Sequence, residues 1–233
     1  MKHHMLMLGA GLLCVSSVAS AASPTVLASE GFDAGTDGWQ AVNGSMNYQW
    51  QSSGGNPGGY VSGQDASGTQ LWFFAAPAGS GFIGDLTAAY GGTLSFSERL
   101  LSINPTTQTA QVQIVDGGGS LLSFHSNSYT PEFGWTSLAI SLSADAGSGT
   151  WSYFTSASSA GTPATASEMM SVLSDVTAFR ILGDYRSAGE ITGLDSISLT
   201  AAVVPEPASS ALMLIGTLGL TMAVRQGRKS GGA

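Results

Sequence analysis

The sequence predicts an all-β body, an antiparallel β-sandwich or jelly roll with one short helix, flanked by an N-terminal signal helix and a C-terminal transmembrane helix. Three observations predict the body. Apolar and small polar residues alternate with period two in several short runs. Glycine-rich clusters punctuate those runs. No regular alternation of strand and helix patterns, which a parallel sheet would need, is present. With 32 glycines, 43% apolar and only 9% charged residues, the composition suits short strands joined by small-residue turns around an aromatic core.

The first element, residues 1–22, has the three parts of a secretory signal. Lys2, His3 and His4 make a basic start, 5–18 is mostly apolar, and Ala19-Ser20-Ala21 is a small-residue cleavage site. Cys14, the single cysteine of the chain, lies inside this segment, behind a Gly11-Leu12-Leu13 that matches a lipobox poorly. A body cleaved after Ala21 or Ala22 therefore has no disulfide, thiolate nucleophile or cysteine metal site.

Residues 23–203 form the expected sandwich domain. Gln111-Val112-Gln113-Ile114-Val115, Ser137-Leu138-Ala139-Ile140-Ser141-Leu142 and Ser196-Ile197-Ser198-Leu199 alternate. Period two turns Val112, Ile114, Leu138, Ile140, Leu142, Ile197 and Leu199 inward. Gly91-Gly92, Gly117-Gly118-Gly119 and Asp145-Ala146-Gly147 mark turns. One stretch breaks the pattern. Met169, Met170 and Leu173 recur at helical spacing, with Thr165 or Ser167 available as a cap, so 166–173 reads as a helix, followed by a strand over 177–182.

Charge narrows the partners. Between residues 24 and 204 only Arg99, Arg180 and Arg186 face fourteen carboxylates. Such a body repels phosphate backbones, which argues against nucleic acid. Residues 208–224 carry no charge and, as a helix of about 25 Å, reach the lower limit for crossing a bilayer. The basic stop Arg225, Arg228 and Lys229 follows, which places the preceding domain away from the cytoplasm. Just before the apolar stretch, Val204-Pro205-Glu206-Pro207 is barred by its prolines from a helix interior and reads as extended and accessible.

This order of Pro-Glu-Pro, apolar helix and basic end resembles the PEP-CTERM sorting signal of exopolysaccharide-producing Gram-negative bacteria, over residues 204–229. The resemblance implies that an exosortase-type enzyme recognises Pro205, Glu206 and Pro207 and processes the tail, with the membrane held through 208–224. A plain single-span anchor behind a proline linker is the alternative.

Within the body, Trp72-Phe73-Phe74-Ala75-Ala76-Pro77, Phe82-Ile83-Gly84-Asp85, Ala89-Tyr90-Gly91-Gly92-Thr93-Leu94-Ser95-Phe96 and Gly193-Leu194-Asp195-Ser196-Ile197-Ser198-Leu199 occur in that order. The order resembles the laminin B domain, or laminin domain IV, over roughly residues 60–200. It implies a galactose-binding-like jelly roll and an extracellular structural or adhesive role, with no catalytic residues to carry over. The opening Glu30-Gly31-Phe32-Asp33 and Asp37-Gly38-Trp39 is similar to the start of carbohydrate-binding sandwiches, many of which hold a structural Ca²⁺. Glu30 and Asp195 are the candidate ligands if the first and last strands pair, since calcium takes carboxylate and carbonyl oxygens. Solvated surface carboxylates are the other reading.

Catalytic constellations are missing from the sequence. His125 is the only histidine of the body, there is no Gly-x-Ser-x-Gly elbow, and no lysine lies between 24 and 204. Glu98, Glu132, Glu168 and Glu190 show no spacing that singles out a hydrolytic pair. The chain is thus expected not to be an enzyme. Two functions stand side by side: a structural or adhesive surface protein, and a carbohydrate-binding module acting on exopolysaccharide, with Trp39, Trp50, Tyr60 and Trp151 as candidate sugar platforms.

Overall fold

The computed structural model describes residues 23–66, 71–102, 111–126, 128–185 and 189–203. The signal segment with Ala19 and Ala21, the motif Pro205-Glu206-Pro207, the apolar stretch 208–224 and the basic residues Arg225, Arg228 and Lys229 lie outside the described residues. Among the described residues no helix is long and apolar enough to cross a membrane.

Among the described residues thirteen strands run in order: β1 Val26–Glu30, β2 Gln40–Val42, β3 Ser45–Gln51, β4 Tyr60–Asp65, β5 Phe73–Ala75, β6 Thr93–Leu100, β7 Val112–Asp116, β8 Leu121–Ser126, β9 Thr136–Ser141, β10 Gly149–Phe154, β11 Thr162–Pro163, β12 Val176–Leu182 and β13 Ile191–Thr200. A 3₁₀ turn, Thr87–Ala89, precedes β6, and one helix, α1 Ala166–Leu173, precedes β12. Two sheets form. One has the order β3-β4-β13-β6-β9 with β1 also on β13; the other runs β11-β10-β8-β7-β12-β5-β2. Every strand pairing is antiparallel.

The core fills the space between the sheets, as alternation requires. Val112, Ile114, Leu138, Ile140, Leu142, Ile197 and Leu199 are all buried, and so are Trp72, Phe73 and Phe74. Trp39, Phe82 and Phe179 pack edge-on or tilted with centroids 5.3–6.5 Å apart. Trp72 meets Phe74 edge-on at 4.9 Å. Its indole lies against two backbones: a Cβ on Gly183 would overlap the ring, and one on Gly63 would stand 2.8 Å from it.

The helix forms where expected, and its cap resolves the choice between Thr165 and Ser167. Thr165 Oγ1 accepts from the Glu168 N–H at 3.3 Å, and Glu168 Oε2 accepts from the Thr165 N–H at 2.8 Å, a capping box. Met169, Val172 and Leu173 are buried; Met170, expected on the same face, is 38% exposed.

β13 is the central strand of its sheet. Its first half pairs with β4 and its last half with β1, while β6 runs along its other edge. The register on β6 slips between Asp195 and Ser198, with Ser196 at φ 53°. This bulge adds a residue and switches parity, so Leu194 before it and Ile197 and Leu199 after it all reach the core.

Candidate functional site

On the outer face of β3, β4 and β13 a groove of ≈ 260 Å³ is open to solvent. Period two sends Gln49, Gln51, Tyr60, Ser62 and Gln64 to this face, and Val61, Gly63 and Asp65 to the other. A bulge in β3 between Met46 and Gln49, with Asn47 at φ 52°, adds Asn47 to the lining. Asn47 Nδ2 donates to Gln64 Oε1 at 2.7 Å. Leu101 and Ile191 close one end. The lining is therefore amides and hydroxyls with two aliphatic residues and one aromatic ring.

At the Tyr60 end the sheet face carries a cation. Arg99 lies on β6, directly across from Gly193. Gly193 has no side chain, and a Cβ there would come within 3.2 Å of the Tyr60 ring and 3.5 Å of Arg99 Cγ. The gap lets Arg99 lie against Tyr60. Its guanidinium carbon sits 4.6 Å from the Tyr60 centroid and 4.8 Å from that of Trp135. The two rings meet edge-on at 5.5 Å, and Trp135 Nε1 donates to the Gly54 carbonyl at 3.0 Å.

Beneath the sheet, inward parity carries Glu98 into the core beside Phe96 and Leu100. Tyr185 and Tyr129 hydroxyls donate to its Oε2 at 2.6 and 3.1 Å, while Oε1 is buried without a partner. Burial pushes this carboxyl up to about 8; the two hydroxyls oppose the shift. Burial, with the Glu98 charge, raises both tyrosines well above their ordinary range.

Glu30 and Asp195 occupy the expected adjoining strands: β1 pairs with β13, and Glu30 is opposite Ile197. Glu30 Oε1 accepts from the Gly31 and Phe32 N–H groups at 2.9 and 2.8 Å. Asp195 Oδ1 accepts from the Ser196 N–H at 2.7 Å, and its Oδ2 accepts from the Asn56 N–H. Burial raises both carboxyls above the usual range, and the charges of Asp37 beside Glu30 and of Asp33 beside Asp195 add to it. Carboxylates with metal-ligand spacing gather elsewhere. Asp65, at the end of β4, and Asp184 and Glu190, flanking the β12–β13 connection, bring carboxylate oxygens within 4.8 Å of one another, all buried.

Two of the four candidate sugar platforms are core residues. Trp39 is 2% and Trp151 1% exposed, and the Trp151 Nε1 donates to the Ser141 carbonyl at 2.9 Å. Trp50 is half-buried and tied to the Phe32 carbonyl at 2.7 Å. Tyr60 alone of the four lines the groove. Sequence reasoning missed Arg99 and Trp135, because their pairing depends on strand neighbours far apart in the chain. It also missed Glu98, although Leu94, Phe96, Glu98 and Leu100 share one parity.

Comparison with known proteins places the family and the fold. Residues 73–214 match the family model of laminin B (domain IV). Among solved structures, the L4b domain of human laminin α-2 is 16% identical, with a TM-score of 0.46 over 57% of this chain and 70% of that one. The family 11 carbohydrate-binding module of a cellulosomal cellulase of Clostridium thermocellum is 15% identical, with a TM-score of 0.50 over 81% of this chain and 100% of that one. The same type of module from Clostridium thermocellum, in complex with a β-1,3-1,4-mixed-linked tetrasaccharide, is 14% identical, with a TM-score of 0.48 over 77% and 99%. No curated protein matches the chain.

Proposed function

The chain belongs to the laminin B (domain IV) family, and from that premise we propose that it is an exported, surface- or matrix-associated adhesive protein whose sandwich holds a glycan in the groove over β3, β4 and β13. The groove carries the glycan part. Sugar hydroxyls both donate and accept, and the side-chain amides of Asn47, Gln49, Gln51 and Gln64 do the same. Groups set on rigid strands keep that pattern ordered before a ligand arrives, which lowers the cost of binding. The role is binding rather than catalysis.

Export and sorting are the other part of the proposal. They rest on the order of residues at the two ends: a basic, apolar and small-residue start, then Pro205-Glu206-Pro207, an uncharged stretch and Arg225, Arg228 and Lys229. An exosortase-type enzyme is the processing partner in this reading, and exopolysaccharide is the glycan available where such a protein would be delivered. A structural Ca²⁺ between Glu30 and Asp195 would fasten the first strand to the last.

Glycan-array screening of the full chain, purified in mild detergent, tests the groove. A confined set of hits is expected, weakened about tenfold by Gln49→Ala or Gln64→Ala, the scale of one lost hydrogen-bonding side chain. An array without hits would refute the glycan reading and leave adhesion through protein contacts.

A further inference from the structure

Arg99 decides what kind of glycan the groove selects, an inference that rests on the groove reading above. The guanidinium is held between Tyr60 and Trp135. Among the described residues no carboxylate forms an ion pair with it, and its buried Nε has no acceptor. That is unusual in a body where carboxylates outnumber arginines so heavily. Asp195, on the neighbouring strand, is opposite Ser97 rather than Arg99, and both its oxygens are engaged by backbone N–H groups. The side chains that line the groove are themselves neutral, and Arg99 stands beside them against the Tyr60 ring.

The aromatic rings point the same way. Neutral sugars are commonly gripped by stacking on a free ring face. Here the guanidinium covers one face of Tyr60 and of Trp135, and Trp135 meets Tyr60 edge-on. Those two faces are thus taken up by the cation, whose Nε is buried while the residue as a whole is half-buried. A planar guanidinium edge matches a planar carboxylate through two parallel N–H···O bonds. We propose that the groove selects glycans bearing carboxylate groups, polymers of uronic acids, with one sugar carboxylate bound by Arg99 at the Tyr60 end, where the local cation and the neutral lining outweigh the body's net negative charge, and neighbouring hydroxyls bound by the groove amides.

Calorimetric titration of the full chain in mild detergent tests this with three probes: oligogalacturonate, the same oligomer methyl-esterified, and a neutral mixed-linkage β-glucan oligomer. Oligogalacturonate is expected to bind at least about tenfold more tightly than the other two, and to weaken as salt screens the charge pair. Arg99→Gln should remove that advantage, and Arg99→Lys should restore only part of it, because an ammonium lacks the fork geometry. The esterified probe and the salt series need no variant, so a misfolded Arg99→Gln would not leave the matter open. Equal binding of charged and esterified oligomers would overturn the proposal, and so would tighter binding of the neutral glucan; both would leave the groove reading standing. Absence of binding by all three would sink both.

Discussion

The Tyr185 hydroxyl donates to Glu98 Oε2 at 2.6 Å inside a core where neither side chain has exposed surface. Tyr129 supplies a second donor to the same oxygen, and no described cation compensates the charge. Folding therefore holds the proton on Glu98 more tightly than the unfolded chain does. A group that binds more protons when folded makes stability fall as pH rises. The contribution is fully present below about 4.5 and is lost as pH climbs to about 8. The slope is at most about 1.4 kcal/mol per pH unit in that window. Urea denaturation at pH 5 and pH 8 should show this loss. Glu98→Gln should flatten the pH dependence and raise the melting temperature at pH 8. Equal wild-type stability at both pH values would contradict the assignment.

Gly183 should not tolerate a methyl group. A Cβ there would overlap the Trp72 ring, which is itself wholly buried between the sheets. Overpacking of this kind typically costs about 1–3 kcal/mol. Thermal unfolding of Gly183→Ala is expected to show a loss in that range. Gly119→Ala is the control: its Cβ would meet nothing, so any loss reflects only its positive φ.

Calcium should bind where the first and last strands meet. Burial raises both carboxyls, with Asp37 repelling Glu30 and Asp33 repelling Asp195, and a divalent cation held by the two would offset the cost of their charge. Saturating Ca²⁺ is expected to raise the melting temperature of the full chain by about 5 °C, and Glu30→Gln or Asp195→Asn should abolish the rise. A titration with no heat and no thermal shift would remove the site.

Tail processing predicts a mass. Protein recovered from cells should lack residues 208–233 if the Pro205-Glu206-Pro207 signal is cut as proposed, and should lack residues 1–21 or 1–22 at the other end. Intact mass spectrometry reads both. A species that retains 208–233 would favour the plain membrane anchor.

Much of the body was legible in the sequence because its signals are local. The helix over 166–173 was readable from methionine spacing and a threonine cap, and the core positions of β7, β9 and β13 from alternation. What was not legible is set by partners distant in the chain. Trp39 and Trp151 look like any other tryptophan between polar neighbours, and only the packing of both sheets makes them core. The Arg99 stack needs Tyr60 from β4 and Trp135 from just before β9. Glu98 is the instructive case. Its parity pointed inward, but its charge argued for the surface, and only Tyr129 and Tyr185 reconcile the two.

The position of β13 has a consequence for biogenesis. The last of the described strands is the one that β1, β4 and β6 all border, so a nascent chain ending before Ile191 presents three strand edges with nothing to join them. Closure of that sheet must wait until nearly the whole body has been synthesised, and loops this long make such pairing slow. Any machinery that handles the polypeptide before that moment meets an open sheet, with Leu94, Phe96 and Val61 not yet covered by their neighbours on the central strand.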